Sequence, residues 1–309
     1  MKLTYDSNIA KIFGKTLISG PKVGIELEFE QADMGMIDTL QTTLWKFDTD
    51  HSLRAGGLEF ISIPIAPHQL TEALIQAKTA LHSCGGIVNK RCGVHVHLNM
   101  LDLNFRQLWQ VATYYTLLEP FIFKQYADGR EDSHFCVPTW ANTTLQQNFY
   151  LDACRLYRGL TPKKKPSGLS PGMMATLAHV GGGLASNAPN LLAPLTILTN
   201  PKYSAMNFTC LPKFGTVGFR QARGTTSMSW VHDWTTFLLA IRSEALKFDS
   251  PDEIINEFER TGFLTLCENI GLEQSPDVNP DDLVDAIDAA IMMVGHKPTD
   301  HHTLDWEIK

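Results

Sequence analysis

The sequence predicts an α+β fold built on a mainly antiparallel sheet. Two patterns lead there. Short segments that alternate apolar and polar residues recur between residues 22 and 224, interspersed with segments of helical apolar spacing; the stretch after residue 248 then reads as helix alone. Strands followed by a helical end, without a regular strand–helix alternation, suit an antiparallel rather than a parallel sheet. The expected division is a catalytic domain over 1–248 and a helical extension over 249–309 packed on it.

In chain order, KVGIELEFE and GLEFISIPI read as strands, the latter entered through the polar, Gly-rich turn DTDHSLRAGG. HQLTEALIQAKTALHSCG has helical spacing closed by glycine. GVHVHLNM alternates as a third strand, and FRQLWQVATYYTLLEPFIFKQYA returns to helical spacing, with Pro120 expected to kink or break it. Residues 161–187 concentrate Pro, Gly, Ser and Lys; they read as a long loop, either a functional lid or a plain connector. KYSAMNFTCL and GTVGFRQARG are expected to pair as strands across a short turn containing Pro212. WVHDWTTFLLAIRSEALKF, SPDEIINEFE and NPDDLVDAIDAAI are expected helices. In the last two, Ser or Asn followed by Pro and carboxylates marks a helix start. The tail DHHTLDWEIK is expected to be loose.

Composition narrows the function classes. A formal net charge of −7 argues against a nucleic-acid binder, despite the basic run Lys163 to Lys165. No apolar run reaches the ~20 residues that span a bilayer. The six cysteines are scattered without a CxxC pair, and MKLTYDSNIAKIFGK has no hydrophobic signal-peptide core, so reduced thiols and a cytoplasmic protein are expected. No Walker loop or GxGxxG is present.

The chemistry concentrates in the strands. In GIELEFE the carboxylates of Glu26, Glu28 and Glu30 fall at every second position and so share one strand face, opposite Ile25, Leu27 and Phe29. In GVHVHLN, His95 and His97 likewise share a face. Such a pair can ligate a metal or simply be satisfied in a core. Glu59 projects with Ile61 and Ile63, where burial would be costly without a cation or hydrogen bonds; an ordinary salt bridge is the other reading. Carboxylate-rich clusters favour hard cations such as Mg²⁺ or Mn²⁺, whereas a structural zinc site would call for cysteine spacings absent here. Arg220 shares a face with Gly218 and Thr216, with Arg223 just beyond. An arginine aimed into such a site could grip a carboxylate or a phosphoryl group, or merely pair with a glutamate.

The ordered set GIELEFE, D-x-S-L with GGLEFISIP, GVHVHLN, KYSAMNF and GFRQARGT resembles the amidoligase family, related to glutamine synthetase and glutamate–cysteine ligase. The resemblance runs over residues 22–240. It implies a glutamine-synthetase-like, curved catalytic sheet on which ATP, Mg²⁺ or Mn²⁺ ions and an acid meet over one face. By match to the family motifs it implies metal ligation by Glu26, Glu28, Glu59 and His95, a place near the nucleotide phosphates for His97, and carboxylate or phosphate handling by Arg220. Relatives usually carry glutamate where this chain has Gly218, so one metal would lack a ligand unless Glu30 or Asp50 replaced it.

The resulting expectation is an ATP-dependent carboxylate–amine ligase acting through an acyl phosphate on small-molecule or peptide substrates. Glu30 or Asp50 is expected to accept the amine's proton, and Lys163, Lys164 and Arg223 to meet the nucleotide phosphates. Two rivals stay open: a metal-dependent hydrolase acting without ATP, and a weakened nucleotide-binding relative, suggested by Gly218.

Overall fold

A computed structural model describes residues 4–33, 35–36, 42–54, 56–130, 133–157, 203–272 and 278–295. The expectations for 161–187, for Lys163 and Lys164, and for the tail from Asp300 lie outside these residues.

The architecture is α+β, with an open six-stranded sheet in the order β2-β3-β1-β4-β6-β5, every neighbouring pair antiparallel. The strands are β1 (Val23–Phe29), β2 (Trp45–Thr49), β3 (Leu58–Ser62), β4 (Val94–Asn99), β5 (Met206–Asn207) and β6 (Thr216–Phe219). Eight α-helices are present among the described residues: α1 (Ile9–Ile12), α2 (Leu70–Cys84), α3 (Phe105–Ile122), α4 (Thr143–Tyr157), α5 (Leu211–Phe214), α6 (Met228–Ala245), α7 (Pro251–Asn269) and α8 (Pro280–Val294).

Period-two alternation decides which side of the sheet is dry. Ile25, Leu27 and Phe29 of β1, Leu58 and Phe60 of β3, Val94, Val96 and Leu98 of β4, and Val217 and Phe219 of β6 all point into one core with the inner faces of α2, α3 and α6. Phe60 sits at an aromatic junction, its ring 4.9 Å from Phe29, 4.7 Å from Phe47 and 6.4 Å from Trp45. Tyr115 of α3 reaches Phe219 of β6 at 4.9 Å, seating this core helix directly on the sheet. Burying each such side chain contributes ~1.5–3 kcal/mol. The other sheet face carries the polar half of the alternation.

Helix α7 packs on α3, and α8 packs on both α3 and α4, joining the same core through Ile254, Phe258, Ile287 and Met293. Both begin as the sequence signals: Ser250 accepts the Glu253 N–H and Asn279 accepts the Asp281 N–H, each followed by proline. Three local features differ from expectation. Helix α3 runs straight through Pro120, and the irregularity falls afterwards, in a π-helical turn over Phe123–Ala127 that ends at Asp128 with φ 53°. Strand β2 and helix α4 were not foreseen: WKFDT is short and half polar, and α4 buries an apolar stripe of Leu145, Phe149 and Ala153 in an otherwise polar segment. The turn at Pro212 is a short helix closed by Gly215 at φ 73°. A side chain at Gly215 would collide with Leu101.

No helix among the described residues is long and apolar enough to cross a membrane.

Candidate metal and carboxylate site

Strand register assembles the site. Antiparallel pairing sets Glu26 opposite His95, Glu28 opposite Glu59, and His97 between Gly24 and Gly218. Because directly paired residues project to the same side, the carboxylates, the imidazoles and the small residues beside them share the sheet face opposite the core. Asp50, just past β2, and Arg220, just past β6, close the two sides.

The ligand atoms of Glu26, Glu59 and His95 all lie within 4.8 Å of one another, and so do those of Glu28, Asp50 and Glu59. Glu59 belongs to both groups. These residues, with Arg220, line a cleft of about 440 Å³ whose walls also include Ser52, Lys90, Arg91, Arg130 and Tyr203. On the far side of Glu26 and His97 lies a smaller, mainly apolar cavity of about 240 Å³, walled by Ile18, Ile61, Pro64 and Phe214.

Hydrogen bonds orient the cluster. His95 Nδ1 stands 3.2 Å from Glu26 Oε2 and 3.7 Å from Glu28 Oε1. Glu28 Oε2 accepts the Gly93 N–H at 2.6 Å. His97 Nδ1 lies 3.2 Å from Thr216 Oγ1, and its Nε2 makes an ion-pair contact with Glu26 Oε1 at 3.4 Å. The Arg220 N–H bonds to Ala205 O, which fixes the backbone of that side chain, and its buried Nε has no hydrogen-bond partner among the described residues.

The protonation pattern follows from this crowding. Burial pushes the Glu59 carboxyl up to about 8, and the nearby charges of Glu26, Glu28 and Asp50 add to the rise against the opposing pull of Arg220. Burial also works against ionising Glu26, yet its contacts with His95 and His97 hold its carboxyl well below the usual range. His97 is disfavoured as a cation by burial but raised to about 9 by Cys210 and Glu26. His95 is lowered, first by burial and then by Arg220, and is the neutral imidazole that a metal requires. One carboxyl that cannot ionise comfortably, beside the half-buried Glu26, the buried Glu28 and a neutral imidazole, is a donor set that fits a hard divalent cation.

Of the residues singled out by sequence, Glu26, Glu28, Asp50, Glu59, His95 and Arg220 converge on the cleft, and His97 stands at its junction with the apolar cavity. Two others do not converge. Glu30 is engaged elsewhere: its oxygens accept the Arg54 N–H at 2.9 Å and the Asn89 amide at 2.7 Å, and Arg91 lies 3.4 Å from it. These contacts, the Arg54 N–H foremost, lower its pKa and tie down the turn beyond β1. Strand β1 ends at Phe29, Glu30 bridges to Ile87, and Gln31 follows with φ 58°. Arg223 pairs with Asp128 at 3.0 Å and lines a neighbouring cavity instead. Gly218 proves to be where His97 packs: a Cβ there would stand 3.1 Å from His97 Cε1.

Sequence reasoning missed Arg130, Lys90 and Tyr203 as cleft residues, and Cys210 as a partner of His97. All four sit in irregular segments or at element ends, where no periodicity announces a direction.

Residues 41–155 match the family model described as "Putative amidoligase enzyme". The match supports the amidoligase family. It takes in Asp50, Glu59, His95 and His97 of the cluster; Glu26, Glu28 and Arg220 lie outside the matched segment, joined to it by strand pairing. The amidoligase match supports a ligase activity for the chain. No curated protein matches the chain.

Proposed function

We propose that this chain is an ATP-dependent carboxylate–amine ligase that activates an acid as its acyl phosphate and passes the acyl group to an amine. The observation that carries this reading is the convergence of Glu26, Glu59 and His95 within 4.8 Å, with Arg220 on the same cleft.

Divalent cations, held by Glu26, Glu28, Glu59 and His95, would supply charge neutralisation for the nucleotide phosphates. The chain's own residues do the rest. Arg220 offers its guanidinium to the substrate carboxylate and to the charge that develops as the γ-phosphoryl group moves. A carboxylate oxygen bonds to the γ-phosphorus as the bond to the ADP oxygen breaks. The amine nitrogen then bonds to the acyl carbon, phosphate leaves with the electron pair of the broken C–O bond, and Asp50 accepts the nitrogen's proton. Glu30, committed to Arg54 and Asn89, is not suited to that step. The apolar cavity beside Glu26 and His97 offers walls suited to a nucleotide base, and a nucleotide seated there would have its phosphates next to the carboxylates. Phosphoryl transfer asks mainly for positioning and charge, so no protein nucleophile is required.

The test is calorimetric titration of a non-hydrolysable ATP analogue into the full chain, with Mg²⁺ and then with EDTA, for wild type and Glu28→Gln. Binding should require Mg²⁺ and weaken at least tenfold in the variant, whose amide oxygen can still accept the Gly93 N–H. Absence of binding with Mg²⁺ sinks the ATP-dependent reading and returns the cluster to a hydrolytic or structural metal role.

A further inference from the structure

The metal cleft has an aromatic corner. Phe135 and Tyr203 line it together, their rings meeting edge to face with centroids 5.2 Å apart and planes at 88°. The other described residues that line it are polar or charged. Phe135 is 60% exposed, so most of its apolar ring meets the cleft and solvent and not the core. A single exposed apolar side chain is ordinary on a protein surface; an aromatic pair set in the wall of a carboxylate-rich cleft is not.

The exposure is built in by what surrounds it. The Val137 N–H donates to Tyr203 O and the Ala205 N–H to Val137 O, both at 2.8 Å, in a parallel bridge between Val137 and Ser204. The Asn142 amide donates to Ser204 Oγ at 2.7 Å, and the Thr139 N–H donates to the buried Glu119 carboxylate of α3 at 2.7 Å. Cys136, next to Phe135, is fully buried against Phe123, Ala127 and Ala205. The two segments that carry the rings are thus tied to each other and to α3, and Phe135 stands in the cleft on anchored neighbours. A ring presented in this way loses little conformational freedom when a ligand packs on it.

The corner belongs to the Arg220 side of the cleft. The Arg220 N–H bonds at 2.9 Å to the carbonyl of Ala205, two residues along from Tyr203, whereas Asp50 follows β2 at the opposite edge of the sheet. We infer that Phe135 and Tyr203 form a subsite for an aromatic ring carried by the acid substrate. The inference rests on the ligase reading for the two roles, with the acid at Arg220 and the amine at Asp50. Walls at 88° offer an incoming ring one face on which to stack with offset and one ring to meet edge-on. A saturated ring of the same size fills the space without those contacts, so the corner selects for aromaticity and not for bulk alone.

The test uses the full chain with Mg²⁺ and no nucleotide, titrated calorimetrically with phenylacetate and phenylpropionate and with their saturated counterparts, cyclohexylacetate and cyclohexylpropionate. At least one phenyl acid should bind five times more tightly than its cyclohexyl counterpart. Phe135→Leu keeps apolar bulk at an exposed position and should erase that preference with the fold intact. Phe135→Ala should erase it as well and weaken both series. Equal binding of the two series, binding of neither, or a preference that survives both variants overturns the subsite. The result is separable from the nucleotide titration: selectivity for the phenyl acids without binding of the ATP analogue keeps the subsite and removes the ligase reading, and the converse removes the subsite alone.

Discussion

Glu59 is where the site's electrostatic cost is concentrated. It faces Glu28 directly across the β1–β3 pairing, shares ligand groups with Glu26 and with Asp50, and has its carboxyl pushed up to about 8 by burial and those neighbours. A carboxyl with a raised folded-state pKa keeps its proton in the folded chain while the unfolded chain has already lost it. Stability without metal therefore falls as pH rises from the ordinary carboxylate range towards 8, and levels off above it, with a slope of at most about 1.4 kcal/mol per pH unit for one proton. Glu59→Gln removes that proton from the balance. In EDTA the variant should match wild type near pH 5 and melt at a higher temperature at pH 9, yet bind Mg²⁺ at least tenfold more weakly. Parallel melting-temperature profiles for the two proteins across that range would show that Glu59 does not carry the strain.

At the scale of the element, β3 joins the chemistry to the core. Glu59 faces the cleft, and its neighbour Phe60 faces the aromatic junction of Phe29, Trp45 and Phe47. Phe60→Ala should cost ~3–5 kcal/mol in urea unfolding, the range for truncating a fully buried aromatic side chain. It should also weaken Mg²⁺ binding, because β3 would no longer be held at one height against β1. Lost stability with unchanged Mg²⁺ affinity would separate the two faces. The same alternation explains what could be read in advance. Wherever period two persists, as at Glu26, Glu28, His95 and His97, a residue's direction follows from its position, and register then brings the strands' polar residues together. Where it stops, direction is lost. Glu30 continues the pattern in sequence but gives its carboxylate to Arg54 and Asn89, and Arg130 enters the cleft from the segment after a π-helical turn that no spacing predicts. Helix α3 passes Pro120 because all of its surroundings are core, so tertiary packing holds a helix that local propensity would end.

At the scale of the whole molecule, metal binding should be legible in global stability. The described residues share one main hydrophobic core that runs from β1 to α8, so a ligand gripping β1, β3 and β4 together ties three strands of the central sheet to each other. A cation that binds the folded chain at one hundred times its dissociation constant stabilises it by about 2.7 kcal/mol. The size of that effect should depend on pH, because the ion must displace the Glu59 proton: affinity rises up to tenfold per pH unit below about 8 and then levels off. At a fixed Mg²⁺ concentration, the rise in melting temperature should be larger at pH 8.5 than at pH 6.5, and the difference should shrink in Glu59→Gln. Calorimetric melts of both proteins, with Mg²⁺ and with EDTA at each pH, decide the matter. A Mg²⁺ effect that is the same at both pH values in wild type would place the cation away from Glu59, because a site sharing that carboxyl cannot be indifferent to its proton.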